Sequence, residues 1–115
     1  MLTTDELVEE TQRHIERNLN PLLSVKVVAA AMNTDPPDLD RLFRRANGIT
    51  IKKYIDARCK NEILERLKAA ECKGCALAQE FGFKTDQAFY RWVLRVFGIP
   101  FRELAAGYRD EVQKK

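Results

Sequence analysis

The feature that most narrows the fold is an internal repeat. Residues 39–49, LDRLFRRANGI, return fifty residues later as FYRWVLRVFGI at 89–99. Leu39, Arg41, Phe43, Arg45, Gly48 and Ile49 are answered by Phe89, Arg91, Val93, Arg95, Gly98 and Ile99. Ahead of each copy lies a short apolar segment with a small residue four before a turn former, Ala29…Asn33 and Ala78…Gly82. A small side chain lets two helices approach closely, and Asn or Gly accepts the left-handed backbone of a tight turn. The pattern predicts two helix-turn-helix units.

The remaining periodicity is helical too. Leu7, Val8, Thr11, Ile15 and Leu19 share one stripe of a helix over 4–19, with Thr3 and Glu6 at capping-box spacing and Pro21 as its stop. Ser24 is placed to cap a short helix that turns Val25, Val28 and Ala29 inward and ends near Asn33. A helix over 36–47 follows, then a long one over 51–70 with Ile51, Tyr54, Ile55, Ile63, Leu64 and Leu67 apolar. Short helices are expected at 74–81, 86–97 and 101–112, and no segment alternates with period two. The expected architecture is all-α: a first unit over 1–49, a linker helix over 50–70 and a second unit over 71–115.

Charge is unevenly spread. The net +3 divides into −2 over residues 1–49 and +5 over 50–115, so the second half should dominate any attraction to a phosphate backbone. No apolar run approaches the ~20 residues of a membrane span, and the N-terminus lacks a basic-then-apolar signal, which makes the cytoplasm the expected compartment. Three cysteines, an odd number, suit a reducing compartment. His14 stands alone, with no nucleophile and orienting group at a recognisable spacing, so no enzyme is expected.

If the helix over 86–97 buries Phe89, Val93, Val96 and Phe97, its other face presents Gln87, Ala88, Arg91 and Arg95. In the major groove Arg pairs with guanine and Gln with adenine, and Ala touches the thymine methyl. Lys84 and Thr85 at the helix start are placed for phosphates. The helix over 36–47 buries Leu39, Leu42, Phe43 and Ala46, leaving Pro37, Asp38, Asp40, Arg41, Arg44 and Arg45 outside. Acid there needs an explanation. Asp35 before Pro36 suits an N-cap, and Asp38 complements the positive helix end. Asp40 caps nothing by its spacing; it is set either to tether Arg41 or Arg44 or to accept from a cytosine amino group.

The run LFRRANGITIKKYIDARCKNEILERLK, with ALAQEFGF and AFYRWVLRVFGIPFREL, resembles the DNA-binding domain of AraC/XylS-type transcription activators. YIDARCKNEILERLK is especially similar to the stand-alone MarA/SoxS/Rob branch, and the resemblance covers residues 5–108. It implies seven helices in two lobes, with recognition helices near 36–46 and 86–96 in successive major-groove segments on one face of the DNA. Base contacts carry over to Pro37, Asp40 and Arg41 in the first unit and to Asp86, Gln87, Ala88 and Arg91 in the second. Phosphate contacts are expected from Arg44, Arg45, Lys52, Lys53, Lys84, Thr85, Arg95 and Arg102. A linker helix of ~17–20 residues spans about 25–30 Å, close to the ~34 Å turn of B-DNA, so one chain could read an asymmetric site. RNA polymerase as partner, activation, a nucleoid location and a monomeric stand-alone state are likewise implied. A domain of a longer regulator would read the same way. Asp40 stands where the branch commonly has an uncharged polar residue, and Leu94 and Val96 stand where it usually has basic ones.

Two other readings remain. The acidic first unit and an exposed Leu94 would suit a protein-interaction module that has lost specific DNA reading. Cys72 and Cys75, with two residues between them and Cys59 upstream, would suit a thiol- or metal-responsive regulator, although four zinc ligands are hard to assemble from this set. No cofactor is expected.

Overall fold

The computed structural model describes residues 2–69 and 74–113, and among these there are seven α-helices and no strand. They are α1 (Thr4–Arg17), α2 (Val25–Ala31), α3 (Pro36–Asn47), α4 (Ile51–Ala69), α5 (Gly74–Glu80), α6 (Asp86–Phe97) and α7 (Phe101–Gln113). The chain forms two compact units, Met1–Arg58 and Cys59–Lys115, with α4 contributing to both.

In the first unit α1 packs on α2 and α3. Thr3 caps α1 as its spacing predicts, its Oγ1 accepting from Glu6 N–H at 3.2 Å. The helix stops at Arg17, earlier than expected, and Pro21 is not what stops it. Asn18 closes the last turn instead: its backbone N–H reaches His14 O and Ile15 O, and its side-chain amide donates to His14 O at 2.8 Å. Leu19 therefore falls outside the helix, and the buried stripe is Val8, Thr11 and Ile15.

Ser24 caps α2 by accepting from Val27 N–H at 3.3 Å. Val28, Ala29, Leu39 and Phe43 complete the first core together with Ile51 and Ile55 of α4, all fully buried. Burying one such large apolar side chain is worth roughly 1.5–3 kcal/mol. Phe43 meets Tyr54 edge-on at 5.3 Å between centroids. Tyr54 Oη and Arg58 both donate to Glu16, Arg58 through Nε at 2.6 Å and Nη2 at 3.0 Å, fastening α1 to α4. The Arg58 hydrogen bonds hold the Glu16 carboxyl below its ordinary range, and burial, then the Glu16 contact, push the Tyr54 phenol up.

The second unit is more aromatic. Leu77 and Ala78 of α5 pack with α6, and Phe89 lies between Phe83 at 5.5 Å and Phe101 at 5.4 Å. Trp92 packs against Phe83 and Phe97 and is only 6% exposed, so it belongs to the core. The expected core members Val96 and Phe97 are only half-buried, while Trp92, with Phe83 and Phe97 against its ring, is buried. Cys59, Ile63 and Leu67 continue the α4 stripe into this unit at intervals of one turn. Cys59 was missing from the predicted stripe, yet it behaves as a small apolar side chain. No helix among the described residues is long and apolar enough to cross a membrane.

Candidate nucleic-acid interface

The two units make their turns in the same way. Asn33 and Gly82 both take the left-handed conformation, at φ 52° and 80°. In each, the residue after the turn former bonds back to the small residue of the preceding helix: Thr34 N–H to Ala29 O at 3.0 Å, Phe83 N–H to Ala78 O at 2.9 Å. Ala29 and Ala78 are buried, which allows the close helix approach that their size predicted. One difference separates the turns. The first passes from Asn33 to its cap residue Asp35 through Thr34, whereas the second passes from Gly82 to Thr85 through Phe83 and Lys84.

The helices that follow are α3 and α6, each 12 residues long and each ended by a left-handed glycine, Gly48 at φ 80° and Gly98 at φ 79°. Their inner faces bury Leu39 and Phe43, and Phe89, Trp92 and Val93. Their outer faces carry the side chains that could meet a polyanion. On α6 these are Asp86, Gln87, Arg91 and Arg95, all exposed, with Lys84 exposed before it and Ala88 half-buried. Thr85 is exposed and caps the helix, its Oγ1 accepting from Ala88 N–H at 3.1 Å. Arg102 is exposed at the start of α7.

On α3 the exposed residues are Pro37, Asp38, Arg41, Arg44, Arg45, Asn47 and also Ala46, which was expected inside. Arg41 pairs with Asp38 at 3.2 Å, and both are more than half exposed, so this contact is weak and readily exchanged for another partner. Asp35 sits at the N-cap, but its side chain makes no capping hydrogen bond. Pro36 and Pro37 have no N–H, so the Asp38 N–H is the one donor left in the first three helical positions; it stands where Thr3, Ser24 and Thr85 each find theirs, and Asp35 does not bond it.

Two expected contact residues already have partners within the first unit. Asp40 is half-buried, and its Oδ1 accepts from Ile51 N–H at 2.8 Å. It therefore caps α4 across eleven residues, and it tethers neither Arg41 nor Arg44. Spacing along α3 could not show this, since the donor belongs to the next helix. Lys52 donates to Pro21 O at 2.8 Å and lies 3.7 Å from Asp56, so its ammonium already has partners. Lys53 is exposed.

Cys72 and the side chain of Cys75 lie outside the described residues. No group of three or more metal-ligating side chains occurs among the described residues.

A profile described as a helix-turn-helix domain matches residues 28–107. The chain is 30% identical over 86 residues to the multiple antibiotic resistance protein MarA of Salmonella typhimurium, covering 75% of this chain and 68% of that one. The Escherichia coli MarA matches to the same extent. Among solved structures, the C-terminal domain of AraT, a response regulator from Geobacillus stearothermophilus, superimposes with a TM-score of 0.75 at 20% identity, over 91% of this chain and 84% of that one. The C-terminal domain of the response regulator yesN from Fusobacterium nucleatum gives 0.71 at 20% identity, over 88% and 95%. These two likenesses speak for the fold. Together with the profile match and the MarA identity, they show that the chain belongs to the AraC-type helix-turn-helix family, a non-enzymatic family of DNA-binding transcription regulators.

Proposed function

We propose that this regulator reads double-stranded DNA through α3 and α6, placed in successive major-groove segments by a single chain. The observation that carries this reading is the repeated outer face. Arg41 and Arg45 of α3 recur in register as Arg91 and Arg95 of α6, all four exposed, on helices entered through the same kind of turn. A surface helix needs no such correspondence for solubility. Arg91 and Gln87, one turn apart, offer a guanine donor fork and an adenine pair, and Ala88 beside them offers a methyl contact. In the first unit Arg41 is the base reader, because it is exposed and its weak pairing with Asp38 is readily exchanged for a base. Arg44, Arg45, Lys53, Lys84 and Arg102 supply phosphate contacts, with backbone N–H groups at the start of α6 beside Thr85. Family resemblance supports an activating role through contact with RNA polymerase.

The test is enrichment of bound duplexes from a random pool by the purified chain, repeated with Arg41→Ala and Arg91→Ala. Each variant should lose base preference in one segment only, with an affinity cost of about 1–3 kcal/mol. An interaction module that has lost DNA reading would enrich no sequence and would bind only at low salt. The exposed Leu94, 49% accessible on the outer side of α6, is the observation on that side of the question.

A further inference from the structure

Asp40 and Tyr90 occupy the same place in the repeat, as do Ile51 and Phe101. In the first unit Asp40 Oδ1 accepts from the N–H of Ile51, the first residue of α4. In the second unit the Tyr90 ring lies against Phe101, the first residue of α7, at 5.8 Å between centroids and 39° between planes. The chemistry differs, but the pair of positions is the same. In both units a residue in the second turn of the outward-facing helix holds the start of the helix that follows.

The local sequence accounts for the difference. Thr50 Oγ1 accepts from Lys53 N–H at 3.2 Å, which leaves the Ile51 N–H for a second acceptor. An anionic acceptor is well suited to that positive helix end. In the second unit Pro100 replaces the threonine and Phe101 is a ring already packed on Phe89, so the partner at this position is a ring that meets carbon.

Resting on the reading of α3 and α6 as DNA-facing helices, we propose that Asp40 and Tyr90 are positioning residues. They set the angle between each reading helix and the helix after it, and Asp40 does not read a base. Turning the Asp40 carboxylate out to a cytosine amino group would strip an acceptor from α4. The acid that looks misplaced on a DNA-facing helix answers a helix end within the protein.

The test compares Asp40→Asn with Asp40→Ala. Both lose the charge, but only Asn keeps an oxygen acceptor, so their ratio isolates the cap at constant electrostatics. Random-pool enrichment and affinity on the enriched duplex are measured at a temperature where circular dichroism shows both variants folded. Asp40→Asn should keep the wild-type base preference at every position. Asp40→Ala should keep it too, but bind roughly 3- to 30-fold more weakly than Asp40→Asn, the range that loss of a cap implies. A changed preferred base in either variant, or equal affinity of the two, overturns the proposal. Amide hydrogen exchange at Ile51 in free protein is the second readout: it should be about tenfold or more faster in Asp40→Ala than in Asp40→Asn, and equal rates overturn the positioning role. Should the wild type enrich no sequence, the DNA-reading proposal fails, while the Ile51 exchange rates still decide this one. In the second unit Tyr90→Phe keeps the ring and should leave base preference unchanged; a shift in preference would count against the proposal.

Discussion

Removing the side chain of each N-cap should affect the two outward helices unequally. Thr85 Oγ1 accepts from Ala88 N–H at 3.1 Å, so Thr85→Ala leaves a donor at the start of α6 without its protein partner. Such a loss costs about 1 kcal/mol, within a range of roughly 0.5–2. Asp35 makes no capping hydrogen bond, and Pro36 and Pro37 leave only Asp38 N–H in the first three helical positions. Asp35→Ala therefore forfeits only the attraction between an exposed carboxylate and the helix end, about 0.3–1 kcal/mol at low salt. The two costs also differ in kind. Screening at 0.5 M salt shortens the Debye length to about 4 Å and should erase most of the Asp35 effect while leaving the Thr85 effect intact. Urea unfolding followed by circular dichroism at low and high salt measures both, with unchanged slopes confirming that the comparison is of stabilities. An Asp35→Ala cost equal to that of Thr85→Ala, and insensitive to salt, would refute the reasoning.

Three further outcomes follow from the same geometry. Gly48→Ala and Gly98→Ala should each cost about 1–2 kcal/mol from left-handed backbone alone, since an added methyl at either would meet nothing within 4 Å; the Asn variants should recover part of that in thermal unfolding. Glu16 is held below the ordinary 4.5 of a glutamate, so its contribution is present above that pH and is lost as pH falls through the lower folded value; Glu16→Gln should flatten the acid limb of the stability curve. Tyr54 is held above 10.0, so its contribution is present below that pH and falls as pH rises beyond it; Tyr54→Phe should remove this alkaline loss of stability.

Much of the fold was legible because the informative features are local. The boundaries of α3 and α6, the left-handed positions at Gly48 and Gly98, and the caps at Thr3 and Ser24 all follow from side chains within a few residues of their effect. Two of the misreadings, at Asp40 and Lys52, share a physical cause, partners distant in sequence. Asp40 looked unemployed because its donor lies eleven residues on, and Lys52 looked available although its acceptor, Pro21 O, lies 31 residues back. Trp92 becomes a core residue through its ring contacts with Phe83 and Phe97, which reach it from a turn and from the helix end and which helical periodicity alone does not show. The end of α1 was misplaced for a different reason: Asn18 closes that helix with its own side chain before Pro21 is reached. In the interface, the exposed register of Arg41, Arg45, Arg91 and Arg95 was visible in the repeat itself.

The central claim is that one chain reads two successive segments of DNA. A hydroxyl-radical footprint of the chain on its enriched duplex tests this most directly. At protein concentrations that saturate each variant, two protected stretches are expected, centred about 10 base pairs apart on one face of the helix, with Arg91→Ala weakening one and Arg41→Ala the other. A single protected stretch, or both stretches fading together in either variant, would contradict it.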